Sequence, residues 1–75
     1  DLNPQLHLGA ALRNLGALYV RQERYDEGEK LLLRSLEVEP NSAAALQNLG
    51  ALCMMLGRSQ EGSEYFKRAR ELMRQ

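Results

Sequence analysis

The side chains able to support catalysis or hold a metal are few: one His, one Cys and ten carboxylates in 75 residues. His7 and Cys53 lie far apart in the chain, and no Asp or Glu stands at a spacing that would complete a nucleophilic triad with them. A nucleophilic thiol needs a base within hydrogen-bond reach and a third group to orient that base. One Cys with one His also falls short of the four ligands of a Cys/His zinc cage, and a single Cys excludes an intramolecular disulfide. The neighbouring carboxylates Glu27/Glu29 and Glu37/Glu39 are two residues apart, a spacing that does not share a helical face. They read as solvated surface rather than as an acid–base pair. His7, near a helix start, reads as exposed, and Met54-Met55 as gap-filling side chains or an adaptable contact. No glycine-rich phosphate loop is present. The expectation is a chain with no catalytic residue, no metal and no cofactor.

Composition narrows the classes further. Ten bases balance ten acids, which argues against nucleic acid or an anionic membrane as the partner. The apolar runs are too short to span a bilayer. The lone Cys suits a reducing compartment, which weakly favours an intracellular site. An apolar share of 44% with no Trp and a single Phe leaves burial to Leu and Ala, and 75 residues amount to one small domain.

The elements that must position any site emerge from an internal duplication. Offset by 34 residues, 14 of the 41 overlapping positions are identical. Ala10-Ala11-Leu12 recurs as Ala44-Ala45-Leu46, and Asn14-Leu15-Gly16-Ala17-Leu18 as Asn48-Leu49-Gly50-Ala51-Leu52. Arg24, Glu27, Gly28, Arg34 and Glu37 recur as Arg58, Glu61, Gly62, Arg68 and Glu71. A period of this length is the mark of a stacked repeat.

Each copy reads as two helices. Leu8, Leu12, Leu15 and Tyr19 step by four, three and four, holding one helical face. Asn3-Pro4 and Asn41-Ser42 are helix starts, and Pro40 ends the helix before it. Breaks fall at Glu23-Arg24 and at Gly57-Arg58, where Gly57 can take the left-handed conformation. Ser59 is the expected cap of the last helix, and Asp26, Glu27 and Glu29 sit in an early turn that favours negative charge. The spacing predicts an all-α chain of four helices near 4–22, 25–38, 42–56 and 59–74. Short loops make them two stacked antiparallel helix-turn-helix hairpins. Pro4 lies two residues farther from Leu12 than Pro40 does from Leu46, so the first helix starts earlier.

The chain resembles the tetratricopeptide repeat, whose 34-residue unit follows W-x2-L-G-x2-Y, A-x3-F and P. The first copy places Leu12, Leu15, Gly16, Tyr19, Gly28, Leu32 and Pro40 at that spacing, and the second Leu46, Leu49, Gly50, Cys53, Gly62, Phe66 and Arg74. Departures are Leu for Trp and Gly for Ala in both copies, Cys53 for Tyr and Arg74 for Pro. The resemblance implies an α-solenoid fragment: 1–4 as the tail of a preceding repeat, with Leu2 matching Leu36, then repeats at 5–40 and 41–75. In it, Gly16 and Gly50 admit a close helix crossing, and Gly28 and Gly62 are packing residues rather than hinges. Leu12, Leu15, Tyr19 and Leu32 fill the hairpin, Leu36 and Val38 face the next one, and Cys53 becomes a buried core thiol. Two repeats fall short of the roughly three that usually stand alone, so the expectation is an excerpt of a longer array. The alternative is self-association through the last helix, by Tyr65, Phe66, Leu72 and Met73.

The resemblance also implies a concave groove lined by the first helix of each repeat. Ala10, Arg13, Asn14, Ala17 and Arg21 form one stripe, and Ala44, Gln47, Asn48, Ala51 and Met55 form its copy. Alanines let a ligand backbone approach, and an amide can pair with a peptide N–H and C=O together. A ladder of Asn14 and Asn48 would hold an extended peptide, similar to the groove of the family's glycosyltransferase-linked arrays, unless each Asn only packs between helices. A clamp for a C-terminal carboxylate is not expected, because Ala17 occupies the register where that clamp needs Asn. The expected function is a protein-binding scaffold with Asn14, Asn48, Arg13, Ala17, Arg21, Gln47, Ala51 and Met55 as the peptide-binding residues. Arg13 and Arg21 favour a partner carrying negative charge. The competing expectation is a structural spacer or self-association segment with no peptide of its own.

Overall fold

A computed structural model describes the backbone of residues 4–75 and the side chains from residue 7 onward. Asn3, expected to cap the first helix, and Leu2, matched to Leu36, lie outside the described residues. Four α-helices follow one another: α1 (Pro4–Arg21), α2 (Tyr25–Val38), α3 (Ala43–Met55) and α4 (Ser59–Met73). No strand occurs among the described residues. The fold is the expected all-α pair of helical hairpins, and α1 begins earlier in its copy than α3 does.

Chain reversal within each hairpin uses one device twice. At the end of α1 the Arg24 amide donates to the Tyr19 carbonyl (2.9 Å) and the Glu23 amide to Val20 (2.9 Å). At the end of α3, Arg58 donates to Cys53 (2.8 Å) and Gly57 to Met54 (3.2 Å). This 6→1 and 5→2 pairing is the Schellman stop, and it demands a left-handed residue at its centre. Gly57 supplies it at φ 79°, whereas Glu23 is forced to φ 64° with a side chain in place. Between hairpins, the Ser42 hydroxyl accepts from the Ala45 amide (3.1 Å) and caps α3. The cap expected of Ser59 is not made: Arg58 occupies the N-cap position without a side-chain bond, and Ser59 is already helical. Residue 58 is drawn into that position because its amide closes the preceding Schellman stop, leaving no room for another linker residue.

Within each hairpin the helices cross where glycine faces glycine. A Cβ on Gly28 would lie 2.6 Å from Val20 Cγ2 and 2.9 Å from the Gly16 carbonyl oxygen. One on Gly16 would meet Leu32 Cγ at 2.9 Å. In the second hairpin a Cβ on Gly62 would come within 3.0 Å of the Gly50 carbonyl, and one on Gly50 within 3.0 Å of the Phe66 ring. A methyl at Gly28 would force its neighbours to shift, and one at Gly62 would need them to give by a few tenths of an ångström. The buried Ser35 hydroxyl donates across the first hairpin to the Gly9 carbonyl (3.0 Å).

The hairpins meet through α2 and α3, with a thinner contact of α1 on α3. Leu32, Leu49 and Leu52 form the buried centre, flanked by Val20, Tyr25, Leu36 and Tyr65. Leu36 faces the next hairpin as expected, but Val38 lies near Gly9 of α1. Leu15 also departs from expectation: it is 41% exposed, whereas Leu49, its copy, is fully buried. Leu49 is buried by α2 of the neighbouring hairpin, and no described helix stands in that place against α1. The groups expected to mediate self-association divide: Tyr65, Phe66 and Leu72 are half-buried, and Met73 is 59% exposed.

These backbone constraints have measurable consequences. Gly28→Ala will lower stability in urea melts by about 1–3 kcal/mol through overpacking, although Ala is the better helix former. Glu23→Gly will raise it by about 1 kcal/mol by relieving the left-handed side chain. Equal stability of Gly28→Ala and the parent chain would contradict the crossing geometry.

Candidate functional site

The first helices of the two copies, α1 and α3, face each other across a cleft of about 250 Å³. Ala17, Val20 and Arg21 line one wall, and Asn48, Ala51, Leu52 and Met55 the other. Two small alanines open the middle. Val20 and Leu52 belong at the same time to the apolar centre or its margin, so the cleft floor is the outer edge of the core.

Five of the eight residues singled out from the sequence line this cleft: Ala17, Arg21, Asn48, Ala51 and Met55. Three do not. Asn14 is exposed and Arg13 half-buried, and neither lines the cleft. Gln47 turns toward α4, its amide donating to Met73 Sδ at 3.6 Å. Asn14 and Asn48 occupy the same register, yet only Asn48 has a neighbouring first helix on its cleft side. Among the described residues neither amide is hydrogen-bonded within the chain. Val20 and Leu52 were not anticipated as lining, because periodicity assigns such residues to the core and does not say where the core edge opens.

Charge is segregated by helix. Neither α1 nor α3 contains an Asp or Glu, and their cations are Arg13 and Arg21. The acids of the helices lie on α2 (Asp26, Glu27, Glu29, Glu37) and on α4 (Glu61, Glu64, Glu71). A chain of zero net charge thus presents an acid-free pair of helices at its cleft.

The residues with chemical potential are otherwise engaged. Arg24 holds Glu27 through Nε and Nη2 (2.7 and 2.6 Å) and lies over the Tyr19 ring, 4.3 Å from its centroid. The hydrogen bond to Arg24 lowers the Glu27 pKa from its ordinary value. Arg58 reaches Glu61 (3.3 Å) and also Glu29 of the other hairpin (2.9 Å). Sequence reading had placed Glu29 on solvated surface, and this cross-hairpin pair was missed; the recurrence of Arg24 at Arg58 was the one signal for it. Cys53 is buried, and its thiol donates weakly to Glu61 Oε1 at 3.9 Å. Burial pushes the Cys53 thiol up, against the opposing influence of Arg58, the opposite of what a nucleophile needs. His7 is exposed. Among the described residues no three of His, Cys, Asp and Glu cluster as metal ligands, and no helix is long and apolar enough to cross a membrane.

A family model of the tetratricopeptide repeat matches residues 7–75. The chain belongs to the tetratricopeptide repeat family. That family serves generally as a non-catalytic protein–protein interaction module, and its members typically bind proteins or peptides. No curated protein matches the chain. Within the tetratricopeptide frame the two cleft walls are the first helices of consecutive hairpins, and Cys53 fills the position of a buried tyrosine.

The thiol gives a pH signature. Because burial raises its pKa in the folded state, the unfolded chain loses that proton first, and stability falls as pH rises above about 8.5. Urea melts at about pH 7 and 9.5 will show this loss, and Cys53→Ala will show less of it. Tyr65, raised by burial too, contributes only above about pH 10. Native Cys53 will react with a thiol reagent only as fast as the chain opens; immediate labelling would contradict its burial.

Proposed function

We propose that the chain is a protein-binding scaffold unit that receives a peptide segment in the cleft between α1 and α3. The reading rests on one observation above others: an apolar-floored cleft between two helices free of carboxylates, one of which, α1, carries Arg13 and Arg21. An apolar side chain of the partner enters between the alanines, over Val20 and Leu52, with Met55 adapting its shape to it. Asn48 offers donor and acceptor to the partner's backbone, and Arg21 at the rim selects for negative charge nearby. Arg13 and Asn14 extend the same helical stripe and serve a longer segment. The small cleft implies weak binding by these two hairpins alone. The chain is read as non-catalytic.

The test is selection of binders from an immobilised array of acidic, apolar-centred peptides, followed by titration of the best into the labelled chain. Resonance shifts are expected at Ala17, Asn48, Ala51 and Met55. Asn48→Ala will weaken binding by about fivefold, the loss of one hydrogen-bonded amide, with helicity unchanged. Arg21→Ala will weaken it by about two- to fivefold at low salt and not at high salt. Asn14→Ala will matter only for peptides long enough to pass Ala17. Unfolding of Asn48→Ala would instead mark Asn48 as a packing residue, and shifts confined to other faces would refute the cleft.

A further inference from the structure

One Cys and three Met give the chain four sulfur atoms, and their surroundings differ. Cys53 is buried, and burial raises its thiol pKa, so it offers little thiolate to an oxidant. Met54 is 42% exposed, but its methyl packs against α4, 3.0 Å from where a Cβ on Gly62 would stand. Met73 is exposed, its sulfur accepts from the Gln47 amide at 3.6 Å, and it does not line the α1–α3 cleft. Met55 is 56% exposed and lines that cleft together with Ala17, Val20 and Leu52. The cleft therefore contains an oxidisable thioether open to solvent, while the thiol three residues from the helix centre is shielded.

We propose, on the reading that the α1–α3 cleft seats a peptide, that Met55 is a site of reversible oxidation by hydrogen peroxide and that its sulfoxide weakens the peptide's hold. The thioether lone pair attacks one peroxide oxygen and the O–O bond breaks. Sulfur loses two electrons and keeps that oxygen as S=O, and the departing hydroxide takes the transferred oxygen's proton to leave as water. A dithiol reverses the step, returning the thioether with a disulfide and water as products. Oxidation turns a flexible apolar side chain into a polar one. The new oxygen accepts hydrogen bonds, and the only donors among the side chains lining the cleft are Asn48 and Arg21, the two groups assigned to the partner's backbone and charge. The oxygen is either left unpaired beneath the partner's apolar side chain or takes a donor from the ligand, and both weaken binding. Met55 is the last residue of α3 and lies outside the Leu32–Leu49–Leu52 centre, so the fold survives its oxidation.

The test treats the 75-residue chain with hydrogen peroxide and titrates it with the tightest acidic, apolar-centred peptide from the array. Mass spectrometry of the digested chain is expected to show one added oxygen on Met55. Oxidation will weaken the peptide about tenfold with unchanged circular dichroism, and methionine sulfoxide reductase with a dithiol will restore the affinity. Met55→Leu, a swap of similar volume, will bind as the parent chain does and lose the sensitivity to peroxide, whereas Met73→Leu will keep it. Four results would overturn the switch and leave the cleft standing: no oxygen on Met55, equal affinity before and after oxidation, loss of helicity on oxidation, or a peroxide-sensitive Met55→Leu. A reduced chain that binds no peptide of the array would remove the cleft reading and the switch with it.

Discussion

The close helix crossing at facing glycines is the constraint from which the rest of the molecule follows. Gly16 against Gly28, and Gly62 against the Gly50 carbonyl, bring two backbones so near that a side chain there would crowd its neighbours. Glycine is a poor helix former, weaker than alanine by about 1 kcal/mol per residue, so its placement mid-helix makes sense only where contact returns more. Here the return is dispersion between backbones and the seating of Leu32 over Gly16 and of Phe66 over Gly50. With each hairpin so compressed, the remaining apolar surface of its first helix is displaced to the flanks, where the next hairpin or a partner must meet it.

Much of this was legible in the chain because the determinants are local. Helix limits follow from Pro40, Ser42, Gly57 and the duplicated register, and the structure reproduces α2 as anticipated and the other ends within a residue or two. What was not legible depends on neighbours. Leu15 and Leu49 have identical surroundings in sequence and opposite burial, because burial belongs to the helix that arrives from elsewhere. Asn14 and Asn48 differ for the same reason: one has a facing first helix and the other does not. The Ser59 cap failed on a different ground, since the three-residue turn ending at Arg58 is fully used by the Schellman stop. The Glu29–Arg58 pair was hidden because only the angle between hairpins brings those residues together.

Charge placement ties the fold to its use. Net neutrality is usually read as indifference to charged partners, but neutrality of the whole says little about one face. Among the carboxylates of the second helices, Glu27, Glu29 and Glu61 pair with Arg24 and Arg58, while the first helices hold no carboxylate and α1 alone holds arginines. A duplicated hairpin can diverge this way without altering its packing, since Arg13, Arg21, Gln47 and Met55 lie outside the glycine crossings and the Leu32–Leu49–Leu52 centre.

The two ends of the molecule are not equivalent, and the difference gives the stack a direction. Along α2 the outward face is aromatic and aliphatic and is buried under α3. In α4 the same register holds Ser59, Ser63, Phe66 and Arg70, of which the three polar side chains remain hydrated at little cost. At the other end α1 keeps the leucines that its copy buries. In a quasi-one-dimensional stack each interface contributes separately to stability, so an end with leucines exposed forfeits a term that an end with polar side chains does not. The outward face of α4 is the more polar of the two, and that of α1 keeps Leu8, Leu15 and Leu18 partly exposed.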